Sequence, residues 1–178
     1  MVKLLLAGTG LIGHRHMQHI LEHPDLELVG VIDPLITDEK IEGVKTYHSL
    51  NDVNNVAEGI ILATPTETHA DLTIQSLEMG LHVLVEKPVA ASLPEADKMI
   101  RASEKTGLSI LVGHHRRHHP LVNETINILK SGKIGRPVAA SLMWLMRKQD
   151  EYFDVEWRKG IDLSLIHISE PTRPERIS

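Results

Sequence analysis

Apolar residues along this chain gather into short continuous runs, at Val2 to Ala7, Leu26 to Ile32, Gly59 to Ala63, Leu81 to Val85 and Leu108 to Val112. Each run is too short for a typical helix, and a continuous rather than alternating run suits a strand buried on both faces. Helical spacing fills most of the intervals. Met17, Ile20 and Leu21 share a face before Pro24 ends that segment, and Leu72 to Met79 repeats the pattern up to Gly80, a usual helix-ending glycine. Ser92 and Glu95 make a capping box with Pro94 tolerated in the first turn, which predicts a helix reaching about Thr106 and closed by Gly107. A further helix is predicted from about Pro120 to Ser131, ending at Gly132, and Arg136 to Met146 (RPVAASLMWLM) reads as a new strand. Strands alternating with helices of this length build parallel βαβ units with right-handed crossovers, so the fold class is α/β.

Composition narrows the function. A chain of 178 residues, 42% hydrophobic, has room for one sizeable domain or for one domain and part of a second. Its formal charge of -5 comes from interspersed acids and bases, so no basic stripe recommends nucleic acid and no polybasic cluster recommends a membrane surface. A small-molecule partner is the expectation. The chain has no cysteine, which excludes disulfides, thiolate metal sites and cysteine nucleophiles and suits a reducing cytoplasm. No run approaches the roughly 18 apolar residues of a membrane span. The start, MVKLLLAGTG, breaks into glycines rather than a signal-peptide cleavage site.

The chemistry begins with GTGLIG, from Gly8 to Gly13, placed after the first strand and opening the first helix. Gly8 permits the tight turn, Gly10 lets the backbone approach a pyrophosphate, and Gly13 lets helix pack on strand. Leu11 and Ile12 lie between the last two, where free amides of the helix start receive phosphate charge. Such a spacing also occurs as a plain structural glycine turn. Here Asp33 ends the second strand, where a carboxylate accepts from ribose hydroxyls, so the stretch reads as a dinucleotide site. Asp33 would repel a 2′-phosphate and Pro34, Leu35 and Ile36 supply no arginine, which favours NAD over NADP. The alternative for Asp33 is a carboxylate that caps the strand end.

Four segments in order, AGTGLIGHRH, ILATPTETH, VLVEKPVA and LVGHHRRHHP, resemble the glucose-fructose oxidoreductase, inositol dehydrogenase and rhizopine catabolism family (Gfo/Idh/MocA) from Val2 to about Lys159. That resemblance implies a Rossmann-type doubly wound parallel sheet at residues 1–119 that binds NAD(P). It also implies the start of an α+β substrate and oligomerisation domain at 120–162. The implied activity is an NAD(P)-dependent oxidoreductase acting on sugars, polyols or inositol-like cyclic alcohols, homo-oligomeric at full length. Lys87 matches the catalytic lysine of the family's E-K-P motif, where it would take or neutralise the hydroxyl proton; a lysine after a strand is otherwise a solvated charge. Pro88 would turn the chain, through a cis bond, so that Lys87 enters the cleft. Glu86 would orient Lys87 or the cofactor, or else form an ion pair within its loop. Pro65 and Thr66 match a segment lining the cofactor, with His69 next in the pattern, although His69 equally reads as a cap or a packed residue of its helix. Arg117 matches paired arginines near nicotinamide and substrate.

The run from His114 to His119 looks like metal chemistry, but no carboxylate stands at suitable spacing and no metal is expected. His14, His16, His19 and His23 are scattered around one helix, and packing or solvent is the expectation for each. Beyond about Ile161 the resemblance fades. Residues 163–178, LSLIHISEPTRPERIS, match one reading frame of a transposon-type sequencing adapter and are expected to be a non-native tail, with His167 a decoy. The expectation is therefore a truncated fragment with little turnover. Competing readings are a dihydrodiol or cyclic-diol dehydrogenase of the same superfamily and a non-catalytic NAD-binding sensor.

Overall fold

The structure, a computed structural model, describes residues 1–54, 57–141 and 143. Two compact units divide the chain, residues 1–123 and 124–178. In the first unit β1 (Val2–Ala7), α1 (Leu11–Glu22) and β2 (Leu26–Ile32) lead to a short hairpin of β3 (Lys40–Ile41) and β4 (Val44–Tyr47). Then follow β5 (Gly59–Leu62), α2 (His69–Glu78), β6 (His82–Val85), α3 (Leu93–Thr106) and β7 (Ile110–Val112). A last helix, α4 (Pro120–Lys130), begins in this unit.

The strands form one sheet in the order β3-β4-β2-β1-β5-β6-β7, parallel except for β3 against β4. From β1 the chain works outward through β2 to β4, then returns to the other side of β1 through β5, β6 and β7. That reversal is the topological switch of a doubly wound fold, and ligands of such sheets bind at the carboxyl ends of strands beside it. The five strands predicted up to Val112 appear as expected to within two residues at their starts and one at their ends.

Successive residues of a strand point to opposite faces, and this period of two sorts the core into two layers. Leu5, Ala7, Ile60, Leu62, Val83 and Val85 pack with Ala70 and Leu77 of α2 and Met99 of α3. Leu6, Leu28, Val31 and Ile61 pack on the other face with Met17 and Ile20 of α1. Leu21, expected on the buried stripe, is instead 49% exposed while Met17 and Ile20 are 2% exposed. The reason is angular: Ile20 and Leu21 lie about 100° apart around the helix, on either side of Met17, and the sheet takes the Ile20 side.

Two local devices were not foreseen. The register of β1 against β2 jumps from Leu4↔Leu28 to Leu5↔Gly30, a bulge at Val29. The hairpin β3-β4 turns through Glu42 and Gly43, both at positive φ (49° and 79°), a two-residue turn of the twist that favours hairpins. Helix ends follow expectation more closely: α3 starts at Ser92, whose hydroxyl accepts from the Glu95 amide at 3.4 Å, and stops at Gly107 with φ 71°. Glu95 reaches back one residue further than a standard box, accepting from the Ala91 amide at 3.0 Å.

In the second unit the described residues hold the rest of α4 and a turn with Gly132 and Gly135 at positive φ. Residues 136–141 carry no strand, and the remainder of the expected strand at 136–146 lies outside the described residues apart from Met143. The expected non-native tail at 163–178 lies wholly outside them. Among the described residues no helix is long and apolar enough to cross a membrane.

Thr73 of α2 is fully buried, and its hydroxyl has no partner among the described residues. An unmet buried hydroxyl costs about 1–3 kcal/mol, so Thr73→Val, which keeps the shape, is expected to be neutral or to stabilise by about 1 kcal/mol. Thermal unfolding would show anything from no change to a rise of roughly 2–4 °C; a clear fall would mean that the hydroxyl has a partner.

Candidate functional site

The candidate site residues are carried at the carboxyl ends of β1, β2, β5, β6 and β7. After β1 the chain turns at Gly8, with φ 91°, where a Cβ would lie 2.5 Å from the Ala63 carbonyl oxygen. A Cβ on Gly13 would overlap the carbonyl oxygen of Gly8. Gly10 is different: it is exposed and a Cβ there would meet nothing within 4 Å. Two glycines therefore let backbones close on one another, and the third leaves the outer surface of the loop bare.

Gly10 is also the N-cap of α1, with no side-chain cap bond and no acidic residue in the first turn. The amides of Leu11, Ile12 and Gly13 are the orphan donors of this helix start, and its partial positive charge is uncompensated by any carboxylate of that turn. A phosphate-bearing ligand fits this arrangement. His14 stabilises the loop from the side, its Nδ1 lying 2.6 Å from the Thr9 carbonyl oxygen.

Asp33 stands beside the loop. Its Oδ2 accepts from the Thr9 amide at 2.9 Å and from the Thr9 hydroxyl at 2.6 Å, and its Oδ1 accepts from the Leu35 amide at 3.0 Å. Burial would raise its pKa, but the Thr9 hydroxyl and the Leu35 and Thr9 amides together hold the carboxyl below its usual range. The strand-end cap weighed for Asp33 is thus physically present, in the Leu35 bond, alongside a carboxylate at the mouth of the glycine loop.

Past β5, Pro65 leads into a 3-10 turn at Thr66–Thr68, with Thr66 buried. His69 is 1% exposed, its Nδ1 is 2.9 Å from the Pro88 carbonyl oxygen and its Nε2 is 3.0 Å from the Thr64 carbonyl oxygen. Both ring nitrogens therefore face the backbones of the two loops they tie, and no polar atom of His69 is presented to a ligand.

Past β6 comes Glu86, whose Oε1 lies 2.9 Å from His16 Nε2 and whose Oε2 accepts from the Lys87 amide at 3.2 Å. Of the alternatives weighed for Glu86, an ion pair within its own loop is not what forms: the partner is His16, on α1. Burial raises the Glu86 pKa, but hydrogen bonds from His16 and the Lys87 amide, with the charges of both side chains, carry it below the usual range. Gly113 after β7 makes room, since a Cβ there would lie 2.8 Å from Glu86 Oε1. Lys87 is exposed and the Lys87–Pro88 bond is cis. It borders a cleft of about 390 Å³ with Gly113, His114, His115, Arg116 and Arg117. Among the described residues no group of three His, Asp or Glu side chains converges as a metal site.

The structure thus brings Gly8–Gly13 together with Asp33, and Glu86, Lys87 and Arg117 together around Gly113. It keeps His69 beneath the surface. Thr9 and His16 had no role in the sequence reading, and only His16 carried a signal: it lies three residues past Gly13, almost one helical turn, on the face that meets the strand ends.

Glu86 and Asp33 both have folded pKa values below their ordinary values of 4.5 and 3.8, so each stabilises the fold at neutral pH and loses that contribution as pH falls through its folded value. In denaturant titrations from about pH 6 to about pH 3, Glu86→Gln is expected to be less stable than the parent at the upper end, with the gap closing at the lower. A gap independent of pH would show that the Glu86 charge plays no part.

A model described as the oxidoreductase family with an NAD-binding Rossmann fold (GFO_IDH_MocA) matches residues 2–114. A 4-carboxy-2-hydroxymuconate-6-semialdehyde dehydrogenase from Sphingobium is 30% identical over 174 residues, covering 93% of this chain and 55% of that protein. The scyllo-inositol 2-dehydrogenase (NAD(+)) of Bacillus subtilis is 31% identical over 147 residues, 77% of this chain and 42% of that protein. Among solved structures, the WlbA dehydrogenase from Bordetella pertussis, in complex with NADH and UDP-GlcNAcA, superposes with a TM-score of 0.71 at 28% identity, over 76% of this chain and 41% of that one. The chain spans about half the length of these relatives.

Proposed function

Because the chain belongs to the Gfo/Idh/MocA oxidoreductase family and carries its NAD-binding Rossmann domain, we propose that it is the cofactor-binding part of an NAD-dependent dehydrogenase acting on a sugar, polyol or inositol-like alcohol. The observation that carries this reading is the common sheet edge shared by the glycine loop after β1 and Lys87 after β6. Two strand spacings of about 4.8 Å separate β1 from β6, so a dinucleotide with its pyrophosphate on Gly10 reaches toward the cleft with its other end. Nicotinamide supplies the hydride acceptor when bound.

This chain's own residues then divide the work. Leu11, Ile12 and Gly13 amides hold phosphate charge, and Asp33 accepts from ribose hydroxyls. Pro65 and Thr66 border the cofactor from the loop after β5. Lys87 meets the substrate hydroxyl and takes or neutralises its proton, and Glu86 fixes the start of that loop. Arg117 reaches substrate or cofactor from the far wall of the cleft. Absence of a basic side chain among Pro34, Leu35 and Ile36 supports NAD over NADP, and the absence of cysteine suits a cytoplasmic setting. Alcohol oxidation and homo-oligomer formation are proposed for a protein of the relatives' full length, and nucleotide binding for this chain. NADH in the WlbA complex and NAD(+) in the name of the Bacillus enzyme support the cofactor, and the inositol dehydrogenase supports the substrate class.

NADH titrated into this chain, followed by nucleotide fluorescence, is expected to bind, and Asp33→Ala to weaken it by roughly tenfold for the loss of a charged hydrogen-bond acceptor. Lys87→Met should leave NADH affinity within about twofold, while lowering NAD reduction by an alcohol roughly 10²- to 10⁴-fold at full length. Lack of NADH binding would overturn the proposal. Binding with no alcohol oxidised at full length would favour a sensor that reads NAD without turning over.

A further inference from the structure

We propose that Thr9 is a specificity-determining residue: its hydroxyl locks the Asp33 carboxylate in the orientation that receives a ribose diol, and so sets the preference for a nucleotide with a free 2′-hydroxyl. The inference rests on the dinucleotide reading above and adds to it a residue that the glycine spacing leaves open to any side chain.

A carboxylate has about four acceptor positions and turns freely unless its oxygens are held unequally. In Asp33 they are held unequally. Oδ2 takes two donors from Thr9, at 2.6 Å from the hydroxyl and 2.9 Å from the amide, which fills it. Oδ1 takes one, from the Leu35 amide at 3.0 Å, and keeps one position open. The backbone on both sides is fixed as well, since the Gly8 amide donates to the Ile32 carbonyl at 2.8 Å and the Asp33 amide to the Tyr47 carbonyl at 3.0 Å. Thr9 and Asp33 are both half-buried and the next residue of each segment, Gly10 and Pro34, is exposed, so the carboxylate stands within reach of solvent beside the loop.

Charge sharpens the selection. Among the described residues no ion pair reaches Asp33, so the anion is held by neutral donors alone. Those bonds outweigh the burial that opposes them and keep the carboxyl ionised at neutral pH. A ribose 2′-hydroxyl can donate to such a fixed anion. A 2′-phosphate brings negative charge and no proton to give, against a carboxylate that Thr9 prevents from swinging aside.

The test compares NADH and NADPH titrations of the parent chain, Thr9→Val, Thr9→Ser and Thr9→Val in an Asp33→Ala background, with thermal unfolding of each. Thr9→Val keeps the amide bond and the side-chain shape and removes only the hydroxyl. Its NADH dissociation constant should rise about three- to tenfold, while that for NADPH stays level or falls as the freed carboxylate swings aside, so that the preference narrows. Thr9→Ser restores the parent ratio. In the Asp33→Ala background the Thr9→Val change should cost NADH nothing further. An unchanged NADH affinity in Thr9→Val overturns the role of Thr9, as does an equal loss for both nucleotides, which would make the hydroxyl a prop of the phosphate loop. A parent chain that binds neither nucleotide overturns the dinucleotide reading itself, and this proposal with it.

Discussion

The contact on which the rest of the structure depends is a meeting of three backbones. Gly13 lies against the Gly8 carbonyl, and Gly8 lies against Ala63 in the loop after β5. No side chain fits at either glycine without moving main chain, and main chain is the one part of a sheet that cannot yield locally. Because α1 can sit this close to β1, its first amides stand at the sheet edge, and Met17 and Ile20 reach the core layer shared with Leu6, Val31 and Ile61. Fold and phosphate cradle are thus consequences of a single close approach, which is why a pattern of glycines serves as a signature of both.

Around that contact polar side chains join the loops in addition to the apolar packing of Ala63, Val89 and Ala90. Asp33 ties the end of β2 to the glycine loop, His16 and Glu86 tie α1 to the end of β6, and His69 ties the loop after β5 to the loop after β6. Each tie joins segments that follow different strands, with its polar atoms at hydrogen-bond distance. The carboxyl edge of the sheet is therefore held by directional bonds, which fix angles as well as separations.

Much of this could be read in the sequence, for a physical reason. Strands buried on both faces need continuous apolar runs, and helices between them need a stripe of period 3.6, so β1, β2, β5, β6, β7 and the three helices among them were all visible. Glycines with positive φ marked the ends at Gly80, Gly107 and Gly132. The hairpin of Lys40 to Tyr47 escaped because its strands are two and four residues long, only partly buried, and joined by Glu42-Gly43 rather than a turn pair that announces itself. The roles of Thr9 and His16 escaped because they exist only after folding: Asp33 is 24 residues from Thr9, and Glu86 is 70 from His16. Sequence spacing reveals neighbours on one helix or strand, and these pairs are neighbours on neither.

The two carbonyls that face His69 have a further consequence, one of donor supply. A neutral imidazole owns a single N–H and a bare nitrogen lone pair, while Thr64 and Pro88 both present oxygens that accept and cannot give. With a single N–H, one loop is bonded and the other faces a lone pair. The loops after β5 and β6 are in this way tenants of the same proton. Thr64 and Pro88 thus compete for one donor, and the tautomer of His69 decides which of the two loops is bonded.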